Sequence, residues 1–213
     1  MIASDSIPTV GSFSDDAEHI KSAGETARAG TYRLLALLLG NAPSAEVLNV
    51  VSKLSPSGDT TIEGSIRKLA MLADSVTPAA VGREYHNLFV GLGEGELIPY
   101  GSYYLSGFLH EKPLARLRAD LRELGVERDD QFKEPEDGIA SLCETMSGLI
   151  AGDFGTPAKL SVQKDFFTRH LGSWGTQFFT DLQSAESANF YRPVGALGAT
   201  FLQVETEAFS IES

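Results

Sequence analysis

Apolar residues recur along most of this chain at steps of three and four, the spacing that puts them on one face of an α-helix. The clearest case is near the C-terminus, where Phe190, Val194, Leu197, Phe201, Val204 and Ala208 trace one continuous stripe. Ile139, Leu142, Cys143, Met146, Leu149 and Ile150 trace another, and Leu114, Leu117, Leu121 and Leu124 a third. Tyr32, Leu35, Leu38 and Leu39 predict a helix over Glu18 to Gly40, ended by Gly40 and Pro43. Further helices are predicted from Ser44 to Leu54, from Thr60 or Thr61 through Leu72, and from Pro78 through Phe89. Pro99 to Phe108, Lys159 to Leu171 and Trp174 to Ser187 complete the set.

The breaks between these stretches carry ordinary helix punctuation. Ser44 and Thr77 are N-cap residues, and Pro78 and Pro113 stand at helix starts. Gly125 fits a left-handed C-terminal cap, and Ser55 to Asp59 and Gly152 to Pro157 read as loops. No segment alternates with a period of two between turn signals, so the fold class is all-α, a multi-helix bundle. Residues 1–17 are rich in Ser and Asp without periodicity and read as a mobile tail. Residues 18–213 read as a single helical domain.

Charge narrows the partners. Seventeen Lys and Arg against 29 Asp and Glu give a net charge of −12, and phosphate binding needs the opposite balance, so nucleic acid is an unsuitable partner. A basic peptide suits the chain better. The longest apolar run, Leu34 to Leu39, falls far short of the roughly 20 residues that cross a bilayer, so no direct membrane insertion is expected. The first Lys is Lys21, and Asp5, Asp15, Asp16 and Glu18 precede or flank it, unlike a secretion signal. Cys143 is the single cysteine, which fits a reducing, cytoplasmic setting.

Motifs for chemistry are missing. There is no CxxC, HExxH or Cys/His cluster, and His19, His86, His110 and His170 are scattered. Cys143 lies on an apolar face, the setting of a structural thiol. Gly91, Gly93 and Gly95 superficially resemble a phosphate loop, but they follow a helix and enclose Glu94, with Glu96 next to it. The stretch from Glu84 to His110 stands out differently. It concentrates Tyr85, Phe89, Tyr100, Tyr103, Tyr104 and Phe108 with Glu84, Glu94, Glu96 and Glu111, and a second acidic run follows at Asp129, Asp130, Glu134, Glu136 and Asp137. Such residues either form a core with a solvated acidic face or line an apolar groove with an acidic rim. The groove would accept a peptide carrying arginines beside an apolar run.

Glu84-Tyr85-His86-Asn87-Leu88-Phe89, then Ile98-Pro99-Tyr100-Gly101-Ser102-Tyr103-Tyr104, then Glu134-Pro135-Glu136-Asp137 resembles, in order and spacing, the TorD/DmsD/NarJ family of redox-enzyme maturation chaperones. Phe166-Phe167, His170-Leu171, Trp174 and Phe190-Tyr191 extend the resemblance over roughly residues 28–209. It implies a helical, TorD-like fold, as a monomer or a domain-swapped homodimer. It also implies a non-enzymatic cytoplasmic role: binding the apo-molybdoenzyme catalytic subunit and its twin-arginine signal peptide until the cofactor is inserted. Tyr85, Leu88, Phe89, Pro99, Ser102 and Tyr103 would shape the client groove, with Glu134 and Asp137 receiving basic client residues. Leu97 to Tyr100 and Gly107 to Glu111 look most like members that accompany formate dehydrogenases. One departure is Gly138, where many members carry a histidine linked to client binding. No cofactor is required, although weak contact with GTP or the molybdenum cofactor is compatible with the family. The alternatives are an adaptor that recruits cofactor-biosynthesis proteins and a GTP-binding hydrolase built on Gly91 to Gly95.

Overall fold

A computed structural model describes residues 10–126 and 134–211, with side chains from residue 22 onward. Among the described residues every regular element is a helix, and one isolated bridge joins Tyr100 to Gly138. The all-α expectation therefore holds. The helices are α1 (Val10–Gly40), α2 (Ala45–Ser52), α3 (Thr61–Ser75), α4 (Pro78–Tyr85), α5 (Gly101–Ser106), α6 (Lys112–Glu123), α7 (Ile139–Ala151), α8 (Leu160–His170), α9 (Gly175–Ser184) and α10 (Tyr191–Ile211).

The caps act where the sequence places them. Ser44 Oγ accepts the Val47 N–H at 3.3 Å. Thr60 and Glu63 form a reciprocal capping box, with the Thr60 N–H donating to Glu63 Oε2 at 2.9 Å and the Glu63 N–H donating to Thr60 Oγ1 at 3.3 Å. Gly125 and Gly152 take the left-handed conformation, with φ of 69° and 86°. The start of α1 differs from expectation, since it begins at Val10 rather than Glu18. A helix already formed extends through polar residues at little cost, and hydrophobic periodicity does not register that extension. Residues 1–9 of the expected tail lie outside the described residues.

Helix α7 is the axis of the core, with nine of its 13 residues buried. A helix apolar on nearly all sides must be enclosed by others. Helix α1 packs along α7 through Tyr32, Leu35 and Leu38, all fully buried, and α10 packs along α9 and against α3. The α9–α10 approach requires glycine, because a Cβ at Gly195 would stand 2.5 Å from the Gln183 backbone nitrogen. Cys143 is wholly buried, and that burial pushes its thiol pKa well up, consistent with a structural thiol.

A buried polar network ties α1 to α10. Arg28 donates to both oxygens of Glu205, at 2.7 and 2.8 Å, and also to Glu25 and Gln163. The Tyr32 hydroxyl donates to Glu205 Oε2 at 3.0 Å. Burial alone would lower the Arg28 pKa, but the bond and charge of Glu205 hold it above its usual value. The network is bidentate and satisfied on both sides, the condition under which a buried pair is tolerated.

Candidate binding site

Helix α4 does not stop at Tyr85. It runs on into a π-helical turn, His86–Val90, before Gly91 reverses the chain at φ 62°. Wide turns of this kind recur at functional sites. Here the turn puts Tyr85 and Phe89 in one ring cluster with Tyr191, at centroid distances of 5.1, 5.5 and 6.1 Å. The Tyr85 hydroxyl donates to the Leu39 and Gly40 carbonyls, both at 3.3 Å. Its pKa is raised by burial and by the Glu134 charge. Leu88 is fully buried and belongs to the core, so it supports the cluster from behind and offers a ligand no surface. The glycine loop turns its amides back onto the π turn, with Glu96 N–H donating to Asn87 O and Leu97 N–H to Leu88 O.

The Pro99–Ser102 segment then pairs with Asp137–Ile139. Ile139 N–H donates to Pro99 O and Gly101 N–H to Asp137 O, both at 2.9 Å. Ser102 N–H donates to Asp137 Oδ2 at 2.7 Å. Asp137 is thus the carboxylate at the start of α5, where the helix dipole favours an anion. Only 3% of it is exposed. The sequence reading made Asp137 an open receiver of basic residues and Ser102 a groove wall, yet both are buried. Among the described residues Asp137 Oδ1 and the Ser102 hydroxyl nevertheless have no hydrogen-bond partner. Two unsatisfied polar atoms at one buried point cost on the order of 1–3 kcal/mol each.

Asp137 also forms part of the wall of a cleft of about 420 Å³ between α5, α6 and α8. Leu105, Leu117 and Trp174 give the cleft apolar sides. The Trp174 indole N–H donates to His170 O at 2.7 Å. Asp120, also in the lining, accepts from Arg169 at 3.2 Å and pairs with His170 Nε2 at 2.7 Å. Burial lowers the His170 pKa, and Asp120 partly offsets this. Arg116 lines the mouth. Beside the cleft, α5 and the loop after it expose Tyr103, Leu105, Phe108 and Leu109, with Phe108 70% exposed. Exposed apolar side chains grouped in this way mark an interaction surface.

The expected residues therefore divide. Pro99, Ser102 and Asp137 form one knot, and Tyr85 and Phe89 form the ring cluster. Glu134 is exposed and accepts from the Tyr100 hydroxyl beside them. Tyr103 is exposed on α5. Among the described residues the acidic rim is largely engaged internally. Glu84 accepts the N–H groups of Asn189, Phe190 and Tyr191 at 2.7, 3.0 and 2.7 Å, capping α10. Glu96 accepts those of Glu186 and Ser187, and Glu136 pairs with Arg118 at 2.8 Å. Asp129 and Asp130 lie outside the described residues.

Sequence reasoning missed Leu105, Asp120, Arg169 and the cleft role of His170 and Trp174. The Trp174 block was legible as a motif, but Asp120 carried no signal. Among the described residues no cluster of His, Cys, Asp or Glu could hold a metal, and no helix is long and apolar enough to cross a membrane. Gly138 is buried, and at its φ of −66° an added Cβ would meet the Tyr100 ring and the Pro135 carbonyl at 3.4–3.6 Å, ordinary contact distances, so the missing histidine is not forced by the backbone.

Residues 55–180 match the family described as nitrate reductase delta subunit. The chain belongs to the TorD/DmsD/NarJ family. It is 27% identical to the chaperone protein TorD of Aliivibrio fischeri over 175 residues, covering 77% of this chain and 81% of that protein. It is 26% identical to TorD of Vibrio cholerae strain M66-2 over 170 residues, covering 75% and 77%. Against the probable Tat proofreading chaperone DmsD of Haemophilus influenzae the identity is 24% over 139 residues, covering 64% and 66%. Membership in the TorD/DmsD/NarJ family makes this chain a chaperone, not an enzyme.

Proposed function

We propose that this chaperone binds the precursor of a molybdopterin-dependent oxidoreductase, including its twin-arginine signal peptide, in the cytoplasm and holds it for cofactor insertion. The observation that carries the reading is the α5–α6 cleft: a buried carboxylate with one oxygen unpartnered, flanked by Trp174 and by exposed Leu105, Phe108 and Leu109. A guanidinium has a donor for the one unpartnered Asp137 oxygen and a flat face for an indole, and the apolar run behind it suits the exposed lip. The Tyr85–Phe89 cluster and Glu134 border the same Pro99–Asp137 knot and extend the client surface. Nothing in this arrangement makes or breaks a bond, so the mechanism is reversible occupancy. The Leu97–Tyr100 and Gly107–Glu111 blocks favour a formate dehydrogenase as the client.

Co-expression with a candidate precursor, with and without its leader, tests the reading. The leader-bearing precursor should co-purify, and Phe108→Ser with Leu109→Ser should reduce the yield at unchanged helicity. Equal recovery without the leader would move the contact to the body of the client. No recovery of a panel of molybdoenzyme precursors would refute the reading.

A further inference from the structure

We infer that a second groove, between α1, α3 and α10, docks a short basic amphipathic helix of a partner polypeptide. The groove has a volume of about 530 Å³ and lies apart from the α5–α6 cleft, with no lining residue in common. Its walls are Ile62, Ile66, Leu160, Phe201, Val204 and Phe209. Val204, on α10, remains 46% exposed.

Charge selects the occupant. The lining holds three carboxylates, Glu25, Glu63 and Glu205, against one guanidinium, Arg28, which leaves two net negative charges. Arg28 is engaged by Glu205 and Glu25, and its guanidinium lies 5.4 Å from the Phe209 ring centroid. It therefore forms the floor and is not offered to an anion. Glu63 is partly exposed and committed to the α3 capping box, and its charge adds to the rim. Apolar walls with a net negative lining attract lysines or arginines flanking an apolar face. From Phe201 to Phe209 α10 rises about 12 Å, which matches roughly two helical turns of ligand.

The inference goes beyond the leader-binding reading and stands or falls separately. The probe is a fluorescein-labelled 15-residue peptide with leucines at helical spacing and lysines elsewhere, titrated by anisotropy against the full chain. Saturable binding that weakens with salt is expected. Val204→Lys and Ala208→Arg, both at exposed positions, should weaken it at least tenfold with an unchanged melting curve. Binding of leader peptide should not respond to either substitution. Equal binding of a scrambled peptide of the same composition, or insensitivity to both substitutions, would overturn the inference. So would sedimentation showing that the groove instead joins two copies of the chain.

Discussion

The α1–α7–α10 core and the α5–α6 region treat their polar groups in opposite ways. In the core, Arg28, Glu205, Tyr32 and Gln163 are buried or half-buried and matched donor to acceptor. Around α5, Asp137 and Ser102 are buried with unmatched atoms, and Phe108 and Leu109 stand in solvent. Stability alone would favour the first arrangement everywhere, since an unsatisfied buried acceptor and exposed apolar area both cost free energy. The region that departs from it is where a partner would supply the missing contacts. Besides the buried Leu114 and Leu117, polar links fasten the α5–α6 pair: Tyr104 to Asp181 at 2.9 Å, Arg118 to Glu136, and Asp120 to His170.

The sharpest way to break the contrast is Arg28→Ala, which strands Glu205 in the core. It should cost about 3 kcal/mol and lower Tm by roughly 6–12 °C, read by calorimetry. A loss below about 1 kcal/mol would mean the core network is no better matched than the cleft. Next, Glu84→Ala removes the two carboxylate oxygens that accept three N–H groups at the start of α10 and should cost about 2 kcal/mol in urea unfolding. On the other side, Phe108→Ser with Leu109→Ser should change stability by less than about 0.5 kcal/mol while weakening leader binding about tenfold by calorimetric titration, which is about 1.4 kcal/mol. A large stability loss there would make the lip part of the core.

The smallest effect is in pH. His170 is held below its ordinary 6.5 by burial, so on acidification the unfolded chain takes up its proton first. Stability from this residue is present above pH 6.5 and declines as pH falls toward the lower folded value. Asp120, which burial would raise, is held below 3.8 by its bonds to His170 and Arg169, so its contribution is lost only in more acidic solution. Thermal melts between pH 7.5 and 5.5 should show a shallow decline that His170→Gln abolishes.

Much of this architecture could be read from residue spacing, because caps and apolar stripes are local. Ser44, Thr60, Thr77-Pro78, Gly125 and Gly152 each mark a boundary through the conformation of their own few residues. The site was legible only as motif blocks. Glu84 looks like a rim acid but caps a helix more than 100 residues away, and Asp137 looks like a surface acid but is buried beneath α5. Such pairings are long-range, and a charge pattern cannot distinguish a solvated carboxylate from a capping one. The π turn was hidden for a different reason. Tyr85, Leu88 and Phe89 fit helical spacing whether the turn is α or π.

Trp174 is the single tryptophan, and it lines the cleft, so its fluorescence reports on that site directly. Titration with a twin-arginine leader peptide should shift or quench the emission saturably, and a peptide with both arginines replaced by glutamine should do so far less. An unchanged spectrum at peptide concentrations where calorimetry shows full binding would place the client elsewhere and contradict the account.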